Sequence, residues 1–191
     1  MLKFLTSLAC VLATHAFCTP SQVILIRHGE KPAHGNYLNA KGWKRASALI
    51  DYFQNNPEVL NFGIPYAIFA AKPCHEDPCH REMQTISSLA QTIGTPILST
   101  LCAKETAELA QFVLNNPKYE GKMVLICWDH YFMDQLSFDL GVHPKPPAYP
   151  DDRFDLTYII TYHDPESPTL CVWPQQLLEG DLPTVPFNGC R

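Results

Sequence analysis

Two arginines and two histidines stand at points of the chain where strands are predicted to end or a helix to begin. Arg27 and His28 directly follow one apolar run, His130 follows a second one, and Arg81 opens a helical pattern. Ligands of open α/β sheets bind beyond the carboxyl ends of the strands, so we expect these side chains to converge. Arginine offers a planar fork to phosphate oxygens, and a helix start adds free N–H groups. The pattern predicts an anion pocket suited to phosphate or a small phosphorylated molecule.

A histidine inside such a pocket can do covalent chemistry. Neighbouring positive charge lowers the pKa of an imidazole, and the neutral ring of His28 can then attack phosphorus. Gly29 lets the backbone approach the phosphate because it carries no Cβ. The residues expected to stabilise the oxygens of the transferring group are Arg27, Arg81 and His130.

The leaving oxygen of such a reaction needs a proton donor. The candidate carboxylates are Glu105, Asp129 and Glu30. Glu105 is equally explained as an acidic residue that stabilises the first turn of a helix. The residues alone leave these alternatives open.

The elements that would position these side chains alternate between strand and helix. Strands are predicted at residues 22–26, 66–71, 96–100 and 123–128, and helices at residues 39–53, 81–93, 105–114 and 132–140. Asn39 is expected to cap the first helix, and Gly94 and Gly141 to end two others. A hairpin is predicted at residues 156–163 and 170–173. This alternation indicates an α/β domain with a mainly parallel sheet and an antiparallel hairpin at one edge.

Composition agrees with one folded domain. The chain has 191 residues, of which 46% are hydrophobic and 17% charged, which excludes a disordered chain. The formal net charge of −5 argues against a nucleic-acid partner, because that binding depends on basic surface.

The first 18 residues resemble a secretory signal peptide, followed by a single domain at residues 19–191. Lys3 precedes a mostly apolar stretch at residues 4–17 that is too short to span a bilayer. Cleavage is expected after Ala16 or Cys18, and the alternative is a buried first helix. We therefore expect a secreted or periplasmic protein with no stable membrane anchor.

Six cysteines remain after cleavage at Cys18, an even number that fits disulfides in an exported protein. The expected pairs are Cys74–Cys79, which closes a short loop, and Cys171–Cys190, which ties down the tail. The alternative is free, buried thiols. The Cys- and His-containing loop at residues 74–80 has the residue types of a zinc site, but its spacing and the export signal favour a disulfide. We predict no metal and no cofactor.

Several of these stretches resemble the histidine phosphatase (phosphoglycerate mutase-like) superfamily. The sequence Arg27-His28-Gly29-Glu30 after an apolar strand is similar to the signature of that family. Similar matches to its motifs occur, in order, at residues 38–43, 81–85 and 124–130. Stretches at residues 150–155 and 176–181 resemble a small exported subgroup of bacterial and fungal type, so the resemblance covers about residues 22–181.

The resemblance implies a three-layer α/β/α fold and a mechanism. His28 would become a phosphohistidine that water hydrolyses, with Arg27, Arg81 and His130 as the phosphate pocket. The acid would be Glu105, where mutase-like members often place theirs, or Asp129, where the subgroup has an acidic residue. The resemblance slightly favours Glu105.

The expected activity is hydrolysis of small phosphomonoesters without a metal ion. The chain lacks the insertion with which mutases and large acid phosphatases shape specificity, so loops at residues 31–38, 72–80 and 143–154 would shape it here. One alternative is an exported, non-catalytic protein that binds phosphate or another anion on the same fold. Another is a metal-dependent hydrolase that uses the loop at residues 74–80.

Overall fold

The computed structural model describes residues 19–75, 78–185, 187 and 190, so the signal-peptide prediction lies outside the described residues. These residues form one six-stranded sheet with the strand order β3-β2-β4-β1-β5-β6. The strands are β1 (Gln22–Arg27), β2 (Ala67–Ala70), β3 (Ile97–Leu98), β4 (Met123–Trp128), β5 (Leu156–Thr161) and β6 (Thr169–Pro174). Strands β1 to β4 pair in parallel, whereas β5 and β6 form an antiparallel hairpin beside β1. The predicted sheet is confirmed.

Helices cover both faces of this sheet. They are α1 (Ala40–Asn55), α2 (Arg81–Ile93), α3 (Thr106–Leu114) and α4 (Met133–Asp139). Alternate side chains of β1 point to opposite faces: Ile24 packs into a core with α1 and α2, and Leu25 into a core with α3 and α4. The architecture is therefore the predicted three-layer α/β/α arrangement.

Helix ends follow the predicted signals closely. The Asn39 side chain accepts a hydrogen bond from the Gly42 N–H at the start of α1, and Gly94 ends α2 in the left-handed conformation. The segment predicted as a helix from residue 132 instead begins with a 3-10 turn at His130–Phe132, followed by α4. The Asp129 side chain accepts the Tyr131 N–H and so starts this tighter turn.

One predicted disulfide is wrong and the other is confirmed. Cys74 pairs with Cys102, and not with Cys79, which is a buried free thiol. The reason is long-range: the Lys72 N–H donates to the carbonyl oxygen of Leu101 at 2.7 Å, so the loop after β2 runs beside the loop after β3. The second predicted bridge, Cys171–Cys190, is present and ties the tail to β6.

This pairing also changes the interpretation of the loop at residues 74–80. With Cys74 in a disulfide, one of its two cysteines is no longer a thiolate ligand. Within the described ranges, no group of three or more His, Cys, Asp or Glu side chains could hold a metal ion. Over the same part of the chain, no helix is long and apolar enough to cross a membrane.

Candidate active site

His28 lies immediately after β1 and is 2% exposed. Its Nδ1 lies 2.7 Å from the carbonyl oxygen of Gly29. A carbonyl oxygen only accepts hydrogen bonds, so Nδ1 carries the proton and donates it. The other ring nitrogen, Nε2, therefore keeps a lone pair that is available as a base or nucleophile.

The surroundings of His28 keep its ring uncharged. Burial lowers the pKa of His28 from 6.5 to about 3, and the positive charges of Arg81 and Arg27 add to the lowering. The hydrogen bond to Gly29 acts in the opposite direction but does not compensate. The imidazole is therefore neutral at physiological pH.

Two glycines bring the loop after β1 against the start of α1. A Cβ on Gly29 would lie 3.0 Å from the Cα of Gly42, and a Cβ on Gly42 would overlap the carbonyl oxygen of Glu30. The Gly29 N–H also donates to the hydroxyl of Thr85 at 2.8 Å, and that hydroxyl donates to the carbonyl of Arg81 at 2.7 Å. The loop is therefore fixed between α1 and α2.

Arg81 is the first residue of α2 and is partly buried. Its Nε donates to the Sγ of Cys79 at 2.8 Å. Burial raises the pKa of the Cys79 thiol to about 12, so the sulfur stays protonated and uncharged. Cys79 can therefore hold the Arg81 side chain without neutralising the charge that acts on His28.

Arg27 is 1% exposed and is held by the loop at residues 150–155. Its Nη1 donates to the carbonyl oxygens of Asp151 at 2.7 Å and Arg153 at 2.6 Å. The guanidinium carbon lies 4.0 Å from the centre of the Phe154 ring. One of its nitrogens, Nε, is buried without a hydrogen-bond partner among the described atoms. Arg27 thus fixes the loop and keeps donor capacity for an anion.

His130 faces His28 across the site, with ring centres 6.5 Å apart and ring planes nearly perpendicular. Its Nδ1 lies 3.1 Å from Oδ1 of Asp129, and its Nε2 lies 3.2 Å from Oδ1 of Asp151. Burial alone would raise the pKa of Asp129, but contacts from His130 and the Tyr131 N–H outweigh burial and lower it. Asp129 is therefore an ionised carboxylate that can orient the His130 ring.

Glu105 is placed differently from Asp129. Glu105 is the residue directly before α3, and its Oε2 accepts the Cys102 N–H at 2.6 Å. Its carboxylate therefore closes a turn in its own loop, whereas Asp129 is in contact with His130. The third candidate, Glu30, belongs to the ion network described next.

A buried ion network joins the loop after β1 to the C-terminal segment. Arg45, which is 1% exposed, donates to both oxygens of Glu30 and both oxygens of Asp181, at 2.7–3.1 Å. It also donates to the Gln175 side chain at 3.0 Å. Burial alone would lower the pKa of Arg45, but the two carboxylates outweigh it and raise the pKa. Each charge of the network is therefore paired, which buried charges require.

Sequence reasoning missed three residues that the fold brings to the site. Asp151 and Phe154 contact Arg27 or His130, and Arg45 braces Glu30. Arg27 and Asp151 are 124 positions apart, so local spacing carries no sign of this contact. The available signal was the stretch of three acidic residues and one arginine at residues 150–155, which the resemblance singled out without giving its residues a role.

A cleft opens at the same edge of the sheet, among residues that follow β2, β3 and β4. Its volume is about 410 Å³, and its lining includes Lys72, His75, Ala103 and Phe132. The indole N–H of Trp128, the last residue of β4, donates to the carbonyl of Ala103 at 2.8 Å. One wall of the cleft is therefore anchored to β4, the strand that precedes Asp129, and the volume of the cleft leaves room for a small molecule.

Comparisons with known proteins agree with this architecture. No family model matches the chain, and no curated protein matches it. Among solved structures, the protein histidine phosphatase SixA complexed with tungstate superposes with a TM-score of 0.56 and 14% identity, over 78% of this chain and 93% of SixA. The chain has the phosphoglycerate mutase-like fold.

A second solved structure is a mycobacterial glucosyl-3-phosphoglycerate phosphatase, with a TM-score of 0.50 and 13% identity. The match covers 81% of this chain and 97% of that phosphatase. At such identities the likeness establishes the fold and not the reaction, since one fold can carry many functions.

Proposed function

We propose that this protein is a phosphomonoester hydrolase that acts through a phosphohistidine intermediate on His28. The observation that carries the proposal is the state of His28: a buried, neutral imidazole whose Nδ1 is fixed by Gly29. Arg27 and Arg81 supply positive charge beside this ring. A neutral nucleophile among positive charges is what attack on a phosphate dianion requires.

The proposed reaction has two displacement steps. In the first, the Nε2 lone pair of His28 forms a bond to phosphorus while the bond to the leaving oxygen breaks. Arg27, Arg81 and His130 would stabilise the oxygens of the transferring group, because their side chains are already positioned before the substrate binds. In the second step, water attacks phosphorus, the N–P bond breaks, and phosphate leaves.

The sequence predicts Glu105 or Asp129 as the proton donor of the first step. The contacts of Glu105 within its own turn and the lowered pKa of Asp129 make both poorer donors than a carboxyl group open to solvent. Asp129 suits a different task, which is to orient the His130 ring that it contacts.

Export is part of the proposal. Two disulfides among the described residues fit an oxidising compartment, consistent with the predicted signal peptide. The substrate class is a small phosphomonoester, and the cleft at the same edge of the sheet would take the body of that molecule. No metal ion takes part in the proposed steps.

The test is hydrolysis of p-nitrophenyl phosphate by the purified protein in EDTA, with His28→Ala as the comparison. We expect turnover in EDTA, and acid-labile, alkali-stable phosphate on the protein after a rapid quench. If the wild-type protein binds phosphate but hydrolyses no phosphomonoester between pH 4 and 8, the non-catalytic anion-binding alternative is favoured. Full activity of His28→Ala would refute the nucleophile, and loss in EDTA with rescue by zinc would favour a metal-dependent hydrolase.

A further inference from the structure

The Asp151 carboxylate is the acidic group that meets the candidate phosphate pocket from its solvent side. Its Oδ1 lies 3.2 Å from His130 Nε2, and its side chain is 78% exposed. Its main-chain oxygen is held by Arg27 Nη1 at 2.7 Å. The residue is thus both accessible and fixed relative to a phosphate-binding candidate.

The direction of attack decides which carboxylates can reach the leaving oxygen. The attacking and leaving atoms of a phosphoryl transfer lie roughly in line, on opposite sides of phosphorus. Because His28 is buried at the base of the site, the leaving oxygen must point away from it, towards solvent. The Asp151 side chain is on that exposed side, whereas the Asp129 side chain is only 16% exposed.

The anchoring of the loop makes this placement persistent. Arg153 pairs with both oxygens of Asp155, at 2.6 and 3.0 Å, and donates to the carbonyl oxygens of Leu182 and Thr184. The loop is therefore bound on one side to Arg27 and on the other to the C-terminal segment. The Asp151 side chain projects from an anchored backbone, as a proton donor of defined reach requires.

The groups nearest the Asp151 side chain are those proposed to bind the phosphate. Its Oδ1 lies 3.2 Å from His130 Nε2, and the charge of Arg27 interacts with Asp151. A substrate held by Arg27 and His130 would place its leaving oxygen near this carboxyl group, which is the position that a general acid requires.

We infer that Asp151 is the general acid of the proposed reaction. As the His28 Nε2–phosphorus bond forms and the phosphorus–oxygen bond breaks, the Asp151 proton passes to the leaving oxygen and an alcohol departs. In the second step the Asp151 carboxylate takes a proton from the attacking water, and phosphate leaves as the N–P bond breaks. This inference rests on the proposed function and names a catalytic residue for it.

The test compares two substrates that differ in their need for a proton. p-Nitrophenolate leaves without protonation, whereas the alkoxide of β-glycerophosphate does not. We compare kcat/KM, which reports the first step alone, because the second step is common to both substrates. For Asp151→Asn we expect kcat/KM on β-glycerophosphate to fall about 100-fold or more, and kcat/KM on p-nitrophenyl phosphate to fall much less. The matched control is Asp152→Asn, the exposed neighbour, which should leave both rates near wild type.

Three results would overturn the inference while leaving the proposed function intact. The first is an equal loss of kcat/KM on both substrates in Asp151→Asn, and the second is no loss of kcat/KM on either. The third is the leaving-group-dependent loss appearing in Asp129→Asn or Glu105→Gln instead. A wild-type protein that hydrolyses neither ester would overturn the proposed function itself. Arg27 bonds the main-chain oxygen of Asp151, so the substitution Asp151→Asn should leave that contact in place. Circular dichroism of each variant verifies that folding is retained.

Discussion

The candidate site joins two regions that are built in different ways. The first is the strand-end group, which consists of Arg27, His28, Asp129 and His130. Arg27 ends β1, and the other three members directly follow β1 or β4, which pair in parallel with Arg27 opposite Trp128. The second is the loop at residues 150–155, which has no regular secondary structure and depends on polar contacts with distant residues.

The difference indicates a division of labour. The strand-end group is fixed by the core of the sheet and holds the buried nucleophile candidate, so it sets reactivity towards phosphorus. The loop presents an exposed carboxylate on the side where the leaving group would lie. Changes in the first region should act on every phosphate ester, and changes in the second should depend on the leaving group.

The largest expected effect concerns the ion network of Arg45, which joins Glu30 in the loop after β1 to Asp181 in the C-terminal segment. Arg45→Ala would leave the buried Asp181 carboxylate without its ion pair and Glu30 with only the exposed Lys41, and we expect the free energy of unfolding to fall by about 3–5 kcal/mol. The control is Lys41→Ala, because Lys41 lies 3.6 Å from Glu30 but is 46% exposed, and its loss should cost less than about 1 kcal/mol. Urea denaturation measures both. Similar stabilities for the two variants would show that the network is not a brace.

The contact between the two regions is the next target. Arg27→Lys keeps a positive charge but loses the planar group that bonds two carbonyls and stacks on Phe154. We expect kcat/KM for p-nitrophenyl phosphate to fall about 100-fold, as for loss of one oriented donor to a transition state. If Lys supports a rate near wild type, charge alone is sufficient and the loop does not need to be held at this point.

The same division explains what could be predicted from sequence. Short apolar runs and helix-capping residues are local signals, so they predicted β1, β4, the start of α1 at Asn39 and the end of α2 at Gly94. The strand-end group follows from those boundaries. The Cys74–Cys102 bridge and the contact of Asp151 with His130 depend on which loops run side by side. That information lies in tertiary packing, and short-range spacing therefore favoured the wrong partner for Cys74.

The strand-end group also predicts a pH dependence of stability. The folded-state pKa of His28 is lowered from 6.5 to about 3, so below pH 6.5 the unfolded chain binds a proton that the folded chain does not. The stability that His28 contributes is present above pH 6.5 and is lost as pH falls towards 3. By pH 5 this loss amounts to about 2 kcal/mol.

Removing the titrating group should remove that part of the slope. We expect the free energy of unfolding of His28→Asn to fall about 2 kcal/mol less than that of wild type between pH 7 and 5. His34→Asn, at an exposed histidine, is the matched control and should keep the wild-type dependence. Parallel curves for wild type and His28→Asn would mean that the ring is not held neutral by the fold.

The smallest expected effect concerns a contact that reaches the site through Arg81. Cys79→Ala removes the Sγ that accepts the Arg81 Nε–H. Hydrogen bonds to charged groups contribute about 1.5–3 kcal/mol, so we expect the affinity for vanadate, a phosphate mimic, to fall about 10-fold. Cys127→Ala, at the second buried free thiol among the described residues, controls for lost core packing. A double-mutant cycle separates positioning from packing: if Cys79 acts through Arg81, its substitution should have no further effect on affinity in the Arg81→Ala background. An undiminished effect there would mean that Cys79 supports the site through the core. The orientation of Arg81 would then depend on the start of α2 alone.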